Sequence, residues 1–339
     1  MARKQVGFGI LGCGNIGGSH AQGITNAPSA KLIAVADALP ERAQALAKQF
    51  GCKWYASLEA LLADPRVEAV NVCTPSGLHA DHGMTVAQAG RHVLLEKPMD
   101  RSLTKVNRLI SYCAAHDLKL GCVFQSRFTE PVRTVKQAID EGRLGRLVSA
   151  SVEAMWYRTQ EYYDSGAWRG TLALDGGCLW NQAIHYIDLL VWMLGTPKQV
   201  LSAHLATVDR RMEAESVGFA QVLFKNGAVG AIRATTVAYP GLPSRLEICG
   251  TKGTAILVDN ELVLLAIEGE EPLSSTVTSA GASSDPLALG YSSHTDQIQD
   301  FAEAVRCDRE PFVNGLEGRK VVKLLTDIYR VAGINSKRS

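Results

Sequence analysis

No stretch of the 339-residue sequence is apolar for long enough to cross a bilayer. Charge of one sign is equally scarce. Lysine and arginine nearly balance the acids, giving a net charge of +1, and no run of basic residues occurs. That balance argues against nucleic acid and against an anionic membrane surface as partners. The eight cysteines (13, 52, 73, 113, 122, 178, 249 and 307) form no C-x-x-C and no paired spacing. Several fall inside expected strands or helices, like small buried hydrophobes. Reduced thiols and a cytoplasmic location are therefore expected. Arg3-Lys4 before an apolar run imitates a signal peptide, but no small-residue cleavage pattern accompanies it. No internal repeat is visible.

What is present begins at Gln5–Gly17. The small and apolar run Val6–Leu11 breaks into Gly12-Cys13-Gly14-Asn15-Ile16-Gly17, a G-x-G-x-x-G placed where a first strand turns into a first helix. Gly12 permits a tight turn. Gly14 lets backbone N–H groups approach a pyrophosphate, and Gly17 lets the helix pack close to the strand. The helix N-terminus then offers unpaired N–H groups and a partial positive charge. Lys31–Asp37 reads as a second strand ending in an acid. Asp37 lies 20 residues past Gly17, the spacing of a carboxylate that binds adenosine ribose hydroxyls. Its charge opposes a 2′-phosphate, so NAD is favoured over NADP; Arg42, one helical turn on, could soften this preference.

Residues 1–123 alternate strand and helix, the pattern of a parallel sheet with helices on both faces. Gly12, Asp37, Thr74 and Glu96-Lys97 all fall at strand ends, where such sheets bind ligands. From about residue 124 the rhythm changes. Six strands between Gln199 and Leu265 follow one another with little helix, and Lys225-Asn226-Gly227 and Asp259-Asn260 read as hairpin turns. The expectation is an α/β domain over 1–123, then an α+β domain over 124–339 with a large, mostly antiparallel open sheet. Such a sheet, uncovered on one face, suits a homodimer or homotetramer. Residues 268–290 look like a surface loop, and 336–339 like a frayed end.

Three groups of residues could carry chemistry. Lys97, in Glu96-Lys97-Pro98, can donate to a substrate hydroxyl and stabilise a developing alkoxide; the plainer reading is a solvated turn lysine. Asn181 and His185 stand at i and i+4 at an expected helix start, with Asp188 a turn further on. His185 suits proton transfer near neutral pH, or it makes a buried hydrogen bond, with Asp188 the candidate partner. Aromatics are only 6% of the chain, yet seven lie between Trp156 and Tyr186, with Arg158 and Arg169 interleaved. Tyr157 and its neighbours could face a sugar ring or simply pack. His79 and His82 sit one turn apart, but hydride transfer needs no metal and no third ligand is evident, so no metal is expected. No cysteine has a flanking basic partner that favours the thiolate.

Taken together, these motifs resemble the Gfo/Idh/MocA oxidoreductases, the glucose–fructose oxidoreductase and inositol dehydrogenase family. The matching pieces are Gly12–Gly17, Cys73-Thr74-Pro75 with His79, His92–Pro98, Gly176-Gly177 leading to His185 and Asp188, and Pro311–Arg319. The resemblance implies a Rossmann domain holding NAD through Gly12, Gly14, Asn15, Ile16, Gly17, Asp37, Thr74, Pro75, His79, Glu96 and Lys97, with Trp168 and Arg169 nearby. It implies hydride transfer at a secondary alcohol carbon of a sugar, polyol or sugar derivative. Lys97, Tyr157, Asn181 and His185 would line that substrate. One departure stands out. Many members carry Asp where this chain has Asn181, which weakens His185 as a base or gives Lys97 the larger role. The segment Asn181–His185 is similar to that of nucleotide-sugar 3-dehydrogenases. Other readings within the family are a sugar–sugar oxidoreductase that recycles a tightly held cofactor, a non-catalytic dinucleotide-binding regulator, and a hydrolase that uses NAD transiently.

Overall fold

The chain divides into two compact units, residues 1–125 with 290–319, and residues 126–289 with 320–339. The computed structural model describes residues 5–275 and 292–334.

The first unit holds six parallel strands: β1 (Val6–Leu11), β2 (Ala30–Ala36), β3 (Lys53–Tyr55), β4 (Ala69–Val72), β5 (His92–Leu95) and β6 (Leu120–Cys122). Their order is β3-β2-β1-β4-β5-β6. Every residue of β1 and β4 is buried, as strands covered on both faces require. Strand order reverses direction between β1 and β4, so a crevice opens there beyond the carboxyl ends. The helices end where the sequence says they should. Pro40 opens the helix Pro40–Phe50, and Gly51 closes it in the left-handed region at φ 66°. The three-residue edge strand β3 was not expected; its pattern is too short to register.

The expected division at 123/124 needs one correction. Residues 290–319 belong with the first unit, not the second. The helix Ser292–Arg306 packs on the back of that sheet, with Phe301 edge-on to Phe8 at 6.2 Å between ring centres. Gln297 Nε2 donates to the Cys122 carbonyl at 2.8 Å, and its Oε1 accepts from the Phe124 amide at 3.1 Å. Gly23 permits this approach: a Cβ there would lie 2.7 Å from Ile298 Cδ1.

The second unit is built on eight strands: β7 (Leu147–Met155), β8 (Pro197–Ala206), β9 (Val217–Phe224), β10 (Val229–Thr235), β11 (Arg245–Gly250), β12 (Gly253–Val258), β13 (Glu261–Ile267) and β14 (Leu273–Ser274). The order is β14-β13-β12-β11-β7-β10-β9-β8. Only β7 and β10 pair in parallel; the other pairs are antiparallel, as expected. Asp259 and Asn260 take φ of 47° and 68° between β12 and β13, the conformation a tight two-residue hairpin needs. Side chains alternate. Ala220, Val222, Ile232 and Ala234 are buried, while Phe219, Val229 and Arg233 face out. The helix Ile184–Leu194 lies on the inner face and is buried nearly all round, which accounts for its apolar composition. Of the expected loop 268–290, Leu273–Ser274 pairs with β13; residues from 276, like 336–339, lie outside the described residues. Among the described residues no helix is long and apolar enough to cross a membrane.

Candidate active site

The first-unit candidates gather at one sheet edge. Gly12 follows β1 with φ 101°, and a Cβ there would lie 2.5 Å from the Cys73 carbonyl. A Cβ on Gly17 would lie 2.2 Å from the Gly12 carbonyl. Both glycines are therefore required by close approach. Gly14 is different: a Cβ would meet open space, so the loop faces outward where a diphosphate would lie. Gly14 is also the N-cap of the helix Asn15–Asn26. No side chain caps that end, and no acid sits in its first turn. Its N–H groups, starting with Asn15 and Ile16, thus keep both donors and partial positive charge for an anion. Asp37 follows β2. Its Oδ2 accepts from the Cys13 amide at 2.7 Å and its Oδ1 from Leu39 at 2.8 Å. These bonds fix the carboxylate beside the glycine loop. The residues present fit a dinucleotide.

Thr74 and Pro75 follow β4. His79 is nearby but turned inward. It is fully buried, with Nδ1 2.6 Å from the Pro98 carbonyl and Nε2 2.6 Å from the Thr74 carbonyl. Burial lowers its pKa. Its side chain therefore clasps two loops. His82 Nδ1 meets Thr74 Oγ1 at 3.0 Å. The hydrogen bonds of these two rings are thus made to protein groups. Among the described residues, the three metal-capable donors that do fall together are His20, Glu96 and His294, within 4.8 Å of one another.

Glu96 and Lys97 follow β5. The Glu96 side chain does not face the edge; it is buried, with Oε1 2.8 Å from His20 Nε2 and Oε2 accepting from the Lys97 amide at 3.0 Å. Burial acts to raise its pKa, but His20, Lys97 and His294 together bring it down to about 2. Lys97 is half-buried. Burial pushes the Cys13 and Cys113 thiols up to about 12, away from nucleophilic chemistry. All eight cysteines are free.

In the second unit, the expected helix start at Ala183 is more structured than anticipated. Residues Cys178–Gln182 form a π-helical turn before the helix Ile184–Leu194. Asn181 lies in that turn and His185 in the following α-helix. Asn181 Nδ2 donates to Asp175 Oδ1, and Asp175 Oδ2 accepts from the Gly170 amide at 2.7 Å. Asp175 is fully buried. The amide nitrogen is thereby spoken for, and Oδ1 is the end of Asn181 turned from Asp175. His185 is buried. Asp188 accepts from Arg127 Nε and Nη2, one to each oxygen, at 2.8 and 2.6 Å.

The aromatic segment is threaded with cations. The Arg169 guanidinium lies 4.2 Å from the ring centre of Tyr162 and 4.6 Å from that of Trp168. Arg158 lies over Trp156 and Tyr162 at 5.0 and 5.6 Å. Arg210 lies 5.2 Å over Tyr157. Sequence reasoning missed His20, Asn71, His294, Arg127 and Asp175. Only Asp175 carried a usable signal, standing directly before Gly176-Gly177.

A doubly wound parallel sheet, a glycine turn into an uncapped helix and an acid after β2 define a dinucleotide-binding oxidoreductase. Comparison with known proteins agrees. Residues 6–124 match the oxidoreductase family with an NAD-binding Rossmann fold, and residues 132–256 match the GFO/IDH/MocA C-terminal domain. The WlbA dehydrogenase of Bordetella pertussis, solved with NADH and UDP-GlcNAcA, is 35% identical. The match covers 97% of each chain with a TM-score of 0.86. An inositol 2-dehydrogenase of Rhizobium meliloti is 28% identical over 94% of each chain. A myo-inositol 2-dehydrogenase of Thermotoga maritima is 26% identical over 98% of this chain and 97% of its own. The chain belongs to the Gfo/Idh/MocA family and is an NAD-binding oxidoreductase.

Proposed function

We propose that the chain interconverts a secondary alcohol and a ketone on a nucleotide-linked sugar acid, using NAD. The observation that carries the nucleotide-sugar reading is the set of guanidiniums of Arg158, Arg169 and Arg210 laid over Trp156, Tyr157, Tyr162 and Trp168. Aromatic faces suit a base or a sugar ring, and arginine forks suit a carboxylate or a diphosphate. A neutral cyclitol offers such cations nothing. The likeness to a dehydrogenase solved with UDP-GlcNAcA supports the same choice. The test is NAD reduction with UDP-GlcNAcA, UDP-GlcNAc and myo-inositol. The expected kcat/KM is at least a hundredfold higher for the acid nucleotide sugar than for myo-inositol. The reverse order would remove the nucleotide-sugar reading and leave a polyol dehydrogenase.

Oxidation takes a hydride from carbon and a proton from the attached oxygen. Bound NAD supplies the acceptor for the hydride. The chain's own side chains manage the oxygen and its proton. Lys97 donates to the carbinol oxygen and favours the negative charge that develops there. His185 takes the proton. Asn181 accepts from a neighbouring hydroxyl through Oδ1, its nitrogen being held by Asp175. Tyr157 supports the ring. Since Asn181 carries no charge to stabilise an imidazolium, Lys97 bears the larger share.

Asp37 sets cofactor choice in this reading. Asp37→Ser should raise the ratio of kcat/KM with NADP to that with NAD by about tenfold, roughly 1.4 kcal/mol of repulsion removed. The variant also loses bonds to Cys13 and Leu39, but that loss weakens both cofactors and cancels in the ratio. An unchanged ratio would take Asp37 out of ribose recognition.

A further inference from the structure

Behind Lys97 lies a buried polar chain that the proposed reaction does not touch directly. Asn71 Nδ2 stands 2.7 Å from His20 Nδ1, and His20 Nε2 stands 2.8 Å from Glu96 Oε1. Glu96 Oε2 then accepts from the Lys97 backbone amide at 3.0 Å. An ionised carboxylate only accepts, so the His20 proton sits on Nε2. Nδ1 is left to accept from the Asn71 amide, which fixes the tautomer. His20, Asn71, Glu96 and His294 are each at least 94% buried. The His294 ring meets the His20 ring edge-on at 5.7 Å between centres.

Among the described residues, Glu96 on its own loop, His79 from the helix His79–Gln88 and His294 from the helix Ser292–Arg306 each interact electrostatically with the Lys97 ammonium. Burial lowers the pKa of both histidines, that of His294 to about 4. Near neutral pH Glu96, held down to about 2, is therefore charged, and the His294 ring is not. Burying a carboxylate costs several kcal/mol unless partners hold it. Two hydrogen bonds spent on keeping one charged here call for a reason. His20 and Glu96 satisfy one another directly, whereas His294 Nδ1 is buried without a hydrogen-bond partner among the described residues.

We propose that Asn71, His20 and Glu96 are positioning residues that hold an anion beside Lys97 and so set the pH up to which Lys97 serves as the donor. The proposal rests on the reading of Lys97 given above. A fixed negative charge favours the ammonium form. Removing it lets Lys97 lose its proton at lower pH. The sign is the same whether the ammonium or the free amine is the working form, because in either case the Lys97 limb of the rate profile moves down.

The experiment is the pH profile of kcat for the wild type and for Glu96→Gln, His20→Leu, His20→Gln and Lys97→Met, with NADH affinity measured alongside. Gln at 96 keeps the shape and removes the charge; its carbonyl oxygen accepts one of the two hydrogen bonds, and its amide nitrogen can only donate. The alkaline limb should move to lower pH by about one unit in Glu96→Gln. His20→Leu should move it the same way, and His20→Gln, which still donates to Glu96, should largely restore it. NADH affinity within about twofold of wild type would show an intact unit. A lower kcat at every pH, with the limb unmoved in Glu96→Gln, would reduce the chain to scaffolding and overturn the proposal. A limb that persists unchanged in the residual activity of Lys97→Met would instead overturn the assignment of Lys97 itself.

Discussion

Lys97→Met is expected to lower kcat by about a thousandfold while NADH binds as tightly as before. Methionine matches the length of the lysine stem and removes only the ammonium. The loop around position 97 should survive the change, because groups other than the lysine side chain also anchor it. Glu96 reaches His20 and the backbone amide of residue 97, and His79 joins the Thr74 and Pro98 carbonyls. The glycine turn and Asp37, on neighbouring strands, do not depend on Lys97 at all. Losing one preorganised donor at a developing oxyanion costs about 10²–10³ in rate. Losing a group that also biases proton transfer pushes toward the upper figure. Steady-state kcat and an NADH fluorescence titration read the two quantities separately. A fall in NADH affinity as large as the fall in kcat would make Lys97 part of the cofactor site. A kcat within a few-fold of wild type would leave the chemistry to His185.

How far the sequence disclosed this arrangement depends on what held each residue in place. Gly12, Gly14, Gly17 and Asp37 were legible because a phosphate turn is local: the residues that make it are neighbours, and their spacing is the signal. The alternation of β1 to β6 with helices was legible for the same reason. The residues that escaped are joined across long separations. His20 meets Glu96 76 positions away, and Asn71 meets His20 across 51. No periodicity marks such pairs. The helix Ser292–Arg306 was recognised as a helix but assigned to the wrong unit. Its apolar face shows that it packs, not on what, and the Gln297 bonds that tie it to β6 reach back 175 residues. At Cys178–Gln182 the chain forms a π turn that no periodicity announced; Asn181 lies within it, and its amide donates to Asp175. Glu96 was legible as a strand-end residue, but not that its side chain is buried against His20.

Asp188→Leu is expected to destabilise the second unit by about 3–5 kcal/mol, and the double variant Arg127→Met with Asp188→Leu to regain most of that loss. Arg127 and Asp188 are 61 residues apart in sequence and almost wholly enclosed, with side-chain exposures of 1% and 0%. Two parallel N–H···O bonds join them, and the guanidinium also lies 5.1 Å over the Trp192 ring. Removing the acid alone leaves a cation in a dry interior, the costly half of the exchange. Removing both exchanges an ion pair for apolar packing of similar volume, which is often close to neutral. Equilibrium urea unfolding of the wild type, the two single variants and the double variant closes the cycle. A loss below about 1 kcal/mol in Asp188→Leu, or a double variant as unstable as the sum of the singles, would sink the account. The same set of proteins separates two roles for Asp188, which stands one turn past His185 on the same helix. If the acid serves only to seat that helix, the refolded double variant keeps kcat within a few-fold of wild type. If it tunes the imidazole, kcat falls in the double variant although stability has returned. The bidentate grip of Arg127 takes one acceptor site on each carboxylate oxygen, so the activity of the refolded double variant decides between the two roles.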